Sequence, residues 1–169
     1  SWSRWRGRAR GRVAGAPALD LRLANDAGRY SLGGTLHADG VVQGKAARLF
    51  APAVAVSGAA TLADRVIDGT LSLRSRALAV ETSGAIDLGR GTLRSIRTRT
   101  RVLDPARVLD RMSGRNIELR TIVDGAFGAA SFDYRLTADR LQFGGKEGFG
   151  VVRAAGHGRL TAPPVAIPI

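Results

Sequence analysis

The residue types that carry acid–base, metal or nucleophilic chemistry are few and scattered in this chain. His37 and His157 are its only histidines, with no carboxylate at motif spacing beside either. Asp64 and Asp68, like Asp133 and Asp139, give no sequence reason to converge on one proton, which general acid–base catalysis requires. Cysteine is absent, which excludes disulfides, zinc–thiolate sites and cysteine catalysis. Gly144-Gly145-Lys146 lacks the spacing and the strand-to-helix context of a phosphate loop and reads as a flexible turn, as does Gly89-Arg90-Gly91. The expectation is a non-enzymatic chain with no catalytic residue, no metal and no cofactor.

What remains is charge. The chain carries a net +12, and all but two of its 26 basic residues are arginine, Lys45 and Lys146 being the exceptions. Such a balance fits an anionic partner: nucleic acid, lipid headgroups or lipopolysaccharide. It fits equally well the solvated faces of strands, which need a polar residue at every second position. Arg4, Arg6, Arg8, Arg10 and Arg12 share one parity close to Trp2 and Trp5. That pairing occurs at membrane interfaces and RNA sites, and also suits a plain edge strand. Arginine is dispersed along the whole chain, so nucleic acid is not the expected partner.

The elements that must position these residues are strands. From Asp64 to Val102 the sequence reads strand, turn, strand, turn, strand. Leu71 and Leu73, then Leu78 and Val80, then Ile86 and Leu88 alternate with polar residues, with Gly69, Gly84 and Gly89 as punctuation. Alternation sends apolar side chains to one face of a pleated strand and polar ones to the other. Arg97, Arg99 and Arg101 thus oppose Ile96, Thr98, Thr100 and Val102. The parity slips between Leu73 and Leu78, which calls for a bulge or tight bend at Arg74–Arg76.

The same unit recurs from end to end. Leu19, Leu21 and Leu23 make a strand, Asn25-Asp26-Ala27-Gly28 a turn, and Tyr30, Leu32 and Leu36 a strand closed by Asp39-Gly40. Val41–Phe50 fits either a short helix or a strand interrupted at Gly44. Val54 and Val56 lead to a break at Ser57-Gly58. Asp104-Pro105, an N-cap acceptor followed by proline, opens a helix near 104–113 with Val108, Leu109 and Met112 on one side. About two turns are not stable alone, so this helix must cap the sheet. Ile117 and Leu119 then lead to a hairpin signal at Asp124-Gly125. Phe132, Tyr134 and Leu136 share a face, and a closing strand follows Gly156-His157-Gly158.

Apolar content of 44% is that of a folded protein, while 5% aromatics suits thin layers. Closely spaced strands without helices of crossover length predict an all-β fold, an elongated antiparallel meander. The expected organisation is a single fragment, 1–169, of a longer repetitive β-sheet protein. Within it, 1–16 is an Arg-rich edge segment and 17–169 the meander. No apolar run approaches the roughly 20 residues of a membrane helix, and no signal peptide is recognisable.

Leu103 to Phe143, LDPARVLDRMSGRNIELRTIVDGAFGAASFDYRLTADRLQF, resembles a mid-chain portion of the TamB family of translocation and assembly module proteins. That family belongs with the AsmA-like bridge proteins of Gram-negative envelopes. SGAIDLGRGTL, Ser83 to Leu93, and RAAGHGRLTAPPVAIPI at the end are similar in style. The resemblance implies a sheet curled into a taco-like groove, apolar within and polar outside. It implies a periplasmic location, an inner-membrane anchor outside this fragment, and an insertase-like outer-membrane barrel as partner. The implied role is moving phospholipid between the two membranes, outer-membrane protein assembly, or both.

On that expectation the groove wall is Val54, Val56, Leu71, Leu73, Leu78, Val80, Ile86, Leu88, Leu119, Phe132, Tyr134 and Leu136. Arg97, Arg99 and Arg101 would meet headgroup phosphates. The competing reading puts the same apolar residues in the closed core of a structural β-solenoid or adhesin-like segment. A basic nucleic-acid-binding module is a third.

Overall fold

A computed structural model describes residues 3–13, 16–38, 44–144 and 147–161. Ten strands form one sheet in sequence order, each antiparallel to the next. They are β1 (Arg4–Val13), β2 (Ala16–Asp26), β3 (Arg29–His37), β4 (Ala53–Ala63), β5 (Val66–Arg74), β6 (Leu78–Asp87), β7 (Thr92–Val102), β8 (Met112–Ala126), β9 (Ala129–Phe143) and β10 (Glu147–Thr161). Helices α1 (Lys45–Phe50) and α2 (Pro105–Val108) sit in the β3–β4 and β7–β8 connections, at the same end of the sheet. The expected antiparallel meander is the fold. It stays open: β1 and β10 are its two edges and do not pair with each other.

Residues directly opposite on neighbouring strands share a face. The register therefore carries one largely apolar face across all ten strands. One row of it runs Ala9, Leu21, Gly34, Val56, Leu73, Val80, Thr100, Leu119, Leu136, Ala154. The next runs Gly7, Leu23, Leu32, Gly58, Leu71, Thr82, Thr98, Thr121, Tyr134, Gly156. The charged residues occupy the other face.

The long strands absorb several glycines expected to be turns. Gly69 and Gly84 stand opposite each other inside β5 and β6. Gly58, Gly125, Gly156 and Gly158 likewise lie within strands. Their role is close approach, which a glycine in a strand permits. A Cβ on Gly69 would stand 2.5 Å from the Ala59 carbonyl oxygen. The β8–β9 hairpin turns at Phe127-Gly128, two residues past Asp124-Gly125. The parity slip after Leu73 is a hairpin bend: β5 ends at Arg74, and Leu73 faces Val80 on the same side.

The helix expected near 104–113 is only Pro105–Val108, because Leu109 is already extended and Met112 pairs with Phe143 in β8. Asp104 makes no capping hydrogen bond; its carboxylate takes the Nε–H of Arg107 at 3.2 Å. A single turn cannot recover its nucleation cost, and the ladder to β9 claims the rest. Of the two options open for Val41–Phe50, helix is correct from Lys45, while Asp39-Gly40 lies outside the described residues.

Candidate functional site

The apolar face is the feature to examine, and its burial is uneven. Val54 and Val56 are each only 6% exposed, near the end that carries the helices. Farther along, Leu71 is 40% and Tyr134 38% exposed, with no second layer over them. Among the described residues one compact cluster forms, Ile117, Ala138 and Leu141, with Val102, Met112, Leu136 and Val152 against it. Among the described residues the apolar side chains do not meet in a closed sandwich core.

Register brings the expected wall residues together, Leu88 excepted. Val54, Val56, Leu71, Leu73, Leu78, Val80, Ile86, Leu119, Phe132, Tyr134 and Leu136 share the apolar face. Leu88 lies beyond the end of β6, exposed in the turn. Trp5, Leu23, Tyr30 and Leu32 join the same face from β1 to β3. They line a shallow hollow of about 240 Å³ with Ala60 and Leu71. The sequence reading named these four but left them out of the expected wall, because nothing within one strand says which face of the next it matches.

Two details shape this face. Phe132 and Tyr134 lie over the glycines of the edge strand: a Cβ on Gly158 or Gly156 would come within 2.7 Å of the respective ring. Toward the middle, Thr82 and Thr98 are hydrogen-bonded through their hydroxyls at 3.1 Å, with Thr121 next in the row. The apolar face is thus crossed by a short row of hydroxyls, two of which satisfy each other.

Arg97, Arg99 and Arg101 stand on the opposite face, not at the edge of the apolar one. Arg99, Arg120 and Arg135 are directly opposite one another on β7, β8 and β9, an arrangement of like charges that needs compensation. Glu118 supplies it for two of the three, accepting from Arg99 Nε at 2.7 Å and Arg120 Nε at 2.5 Å. Burial alone would raise the carboxyl's pKa, but the two guanidinium bonds outweigh it and hold Glu118 below its ordinary range. Arg101 pairs with Glu81 at 2.8 Å. Arg97 makes no ion pair among the described residues and lines a hollow of about 520 Å³ with Arg99, Ser57, Ser72 and Ser83.

The most buried carboxylate among the described residues, Asp87, does structural work. It takes the Arg90 backbone N–H at 2.9 Å and the Arg94 guanidinium, closing the β6–β7 turn. Chiefly the Arg90 N–H, then Arg94 and Arg90 charges, hold it below the usual carboxylate range. Among the described residues no three His, Asp or Glu side chains gather as a metal site, and no helix is long and apolar enough to cross a membrane. No protein-family model matches this sequence, and neither a curated protein nor a solved structure shows similarity to it.

Proposed function

We propose that this chain is a segment of a TamB-like envelope protein whose apolar face carries phospholipid acyl chains between the inner and outer membranes, or guides outer-membrane proteins, without catalysing a reaction. One observation carries the reading: a largely apolar face, crossed by a short row of threonines, runs across all ten strands, and at Leu71 and Tyr134 it is substantially exposed. Soluble proteins rarely expose a contiguous apolar surface this long without an occupant. An acyl chain laid on it recovers about 0.8 kcal/mol per buried CH₂, on the order of 10 kcal/mol for a palmitoyl chain. The shallow relief suits a ligand that slides in preference to one that locks. Arg97, Arg99 and Arg101, on the far face, are not placed to escort headgroups along it, so the reading rests on acyl-chain contact alone.

The arginine face does not favour nucleic acid. Trp5, Tyr30, Phe132 and Tyr134 all stand on the apolar side, so the bases would find none of them to stack on.

Native mass spectrometry of the gently purified chain tests the proposal, beside a Leu71→Asp variant. Leu71 is half-exposed in the middle of the face, so the change adds a charge without emptying a core. Phospholipid bound to the parent and lost from the folded variant is the expected result. A folded parent that carries no lipid, even after incubation with vesicles, overturns it.

A further inference from the structure

Strand β7 carries four arginines, and three of them are neutralised within the sheet. Asp87 holds Arg94, Glu118 holds Arg99 at 2.6 Å and Glu81 holds Arg101 at 2.8 Å. Arg97 has no such partner among the described residues. Across the ladder it stands opposite Ser83 of β6 and Ile122 of β8, neither of which can balance its charge. β7 lies inside the sheet, between β6 and β8, so this unbalanced charge is not a property of an edge.

Hydroxyls gather beside it. Two adjacent rows of the polar face run toward β7, one of Ser57, Ser72, Glu81 and Arg99, the other of Ala59, Thr70, Ser83 and Arg97. Neighbours within a row are about 5 Å apart and the two rows about 7 Å, from strand spacing and two residues of rise. Thr82 and Thr98, on the apolar face, satisfy each other. Ser57, Thr70, Ser72 and Ser83 make no side-chain hydrogen bond to another described residue. Their short side chains, beside the longer Arg97 and Arg99, leave the hollow of about 520 Å³. Small-molecule sites commonly enclose ~300–1,000 Å³.

The chemistry of the lining narrows the ligand. A guanidinium fork matches the oxygens of a phosphate, and each hydroxyl can both donate and accept. Inorganic phosphate would engage Arg97 and leave the hydroxyls facing water. An uncharged sugar would do the reverse. A long polyanion would draw on arginines all over the face and gain nothing particular from this hollow.

We infer that the hollow binds a phosphate ester of a polyhydroxylated ring, with the phosphate on Arg97 and the ring hydroxyls on Ser57, Ser72 and Ser83. Arg99 adds positive potential without leaving Glu118, and Glu81, tied to Arg101, sets the far limit for the phosphate. This inference does not depend on lipid transport along the opposite face.

The test titrates the whole chain with inositol 1-phosphate by calorimetry, beside inorganic phosphate and inositol, at physiological salt to screen diffuse attraction. One saturable site is expected, at least about tenfold tighter than for either control, because both kinds of contact fall on one molecule. Arg97→Gln should weaken binding at least about tenfold, and Ser72→Ala with Ser83→Ala about fivefold. Arg159→Gln removes the same charge from the same face on β10, and should stay within about twofold of the parent. Circular dichroism checks each fold. Vesicles containing phosphatidylinositol, set against phosphatidylglycerol vesicles of equal charge, separate the two sources of the ester. Preference for phosphatidylinositol that needs Arg97 assigns it to a lipid headgroup, and binding of inositol 1-phosphate without that preference assigns it to a soluble compound. Inorganic phosphate binding as tightly as the ester would overturn the inference. So would equal losses in Arg97→Gln and Arg159→Gln, or a folded parent chain that does not bind inositol 1-phosphate.

Discussion

Arg48 of α1 and Asp110, in the bend between α2 and β8, form an ion pair at 2.6 Å. Arg48 also donates to the Ala106 carbonyl at 2.9 Å. Together these contacts tie the β3–β4 connection to the β7–β8 connection across the intervening ends of β5 and β6. Two elements too short to be stable alone steady each other. Because both side chains are substantially exposed, the pair is worth little in global stability. Asp110→Asn should cost less than about 1 kcal/mol in urea unfolding. Hydrogen exchange should speed up in α1 and α2 while β5 and β6 stay protected. Equal acceleration in β5 and β6 would show that the helices hold the sheet.

Gly34 adopts φ 154°, and a Cβ there would stand 2.1 Å from the Asp20 carbonyl oxygen of β2. Nothing flexible lies in the way to yield, so Gly34→Ala must part β2 from β3. A loss of roughly 2–4 kcal/mol is expected in chemical unfolding. Gly150→Ala, with open space around its Cβ, should stay within about 0.5 kcal/mol of the parent chain.

Asp87 and Glu118 set the acid limb of stability. Both carboxyls titrate lower in the folded chain than in the unfolded one. Their ionised forms therefore favour folding above the unfolded value near 4, and that contribution is lost as pH falls through the lower folded values. Asp87→Asn should be less stable than the parent at pH 7, and the gap should close below about pH 4. A gap that widened on acidification would contradict the assignment.

The rings over β10 are open to a double-mutant cycle. Gly156→Ala drives a methyl toward the Tyr134 ring, so alone it should cost about 1–2 kcal/mol. In a Tyr134→Ala background the same change should be nearly neutral, giving a coupling above about 0.5 kcal/mol. Additive effects would mean that the ring does not rest on the glycine.

Much of this protein is settled by alternation. Strands in which arginine and threonine or leucine take turns, as in Thr92–Val102, have one way to sit half-buried, and that is enough to specify an antiparallel meander. The separation of Arg97, Arg99 and Arg101 from Ile96 and Val102 follows from the same period of two. Local sequence could not show whether Gly58, Gly69, Gly84, Gly156 and Gly158 end strands or lie inside them, because glycine suits both a turn and a close backbone approach. Only pairing decides, when Gly69 meets Gly84 and when aromatic rings cover Gly156 and Gly158. Pairing also placed Leu88 in a turn and brought Trp5, Leu23, Tyr30 and Leu32 onto the face of Leu71. The neutralisation of Arg99 by Glu118, and the bridge from Arg48 to Asp110, join residues far apart along the chain. Such contacts depend on register and on where two connections happen to meet, and a periodicity of two carries information about neither.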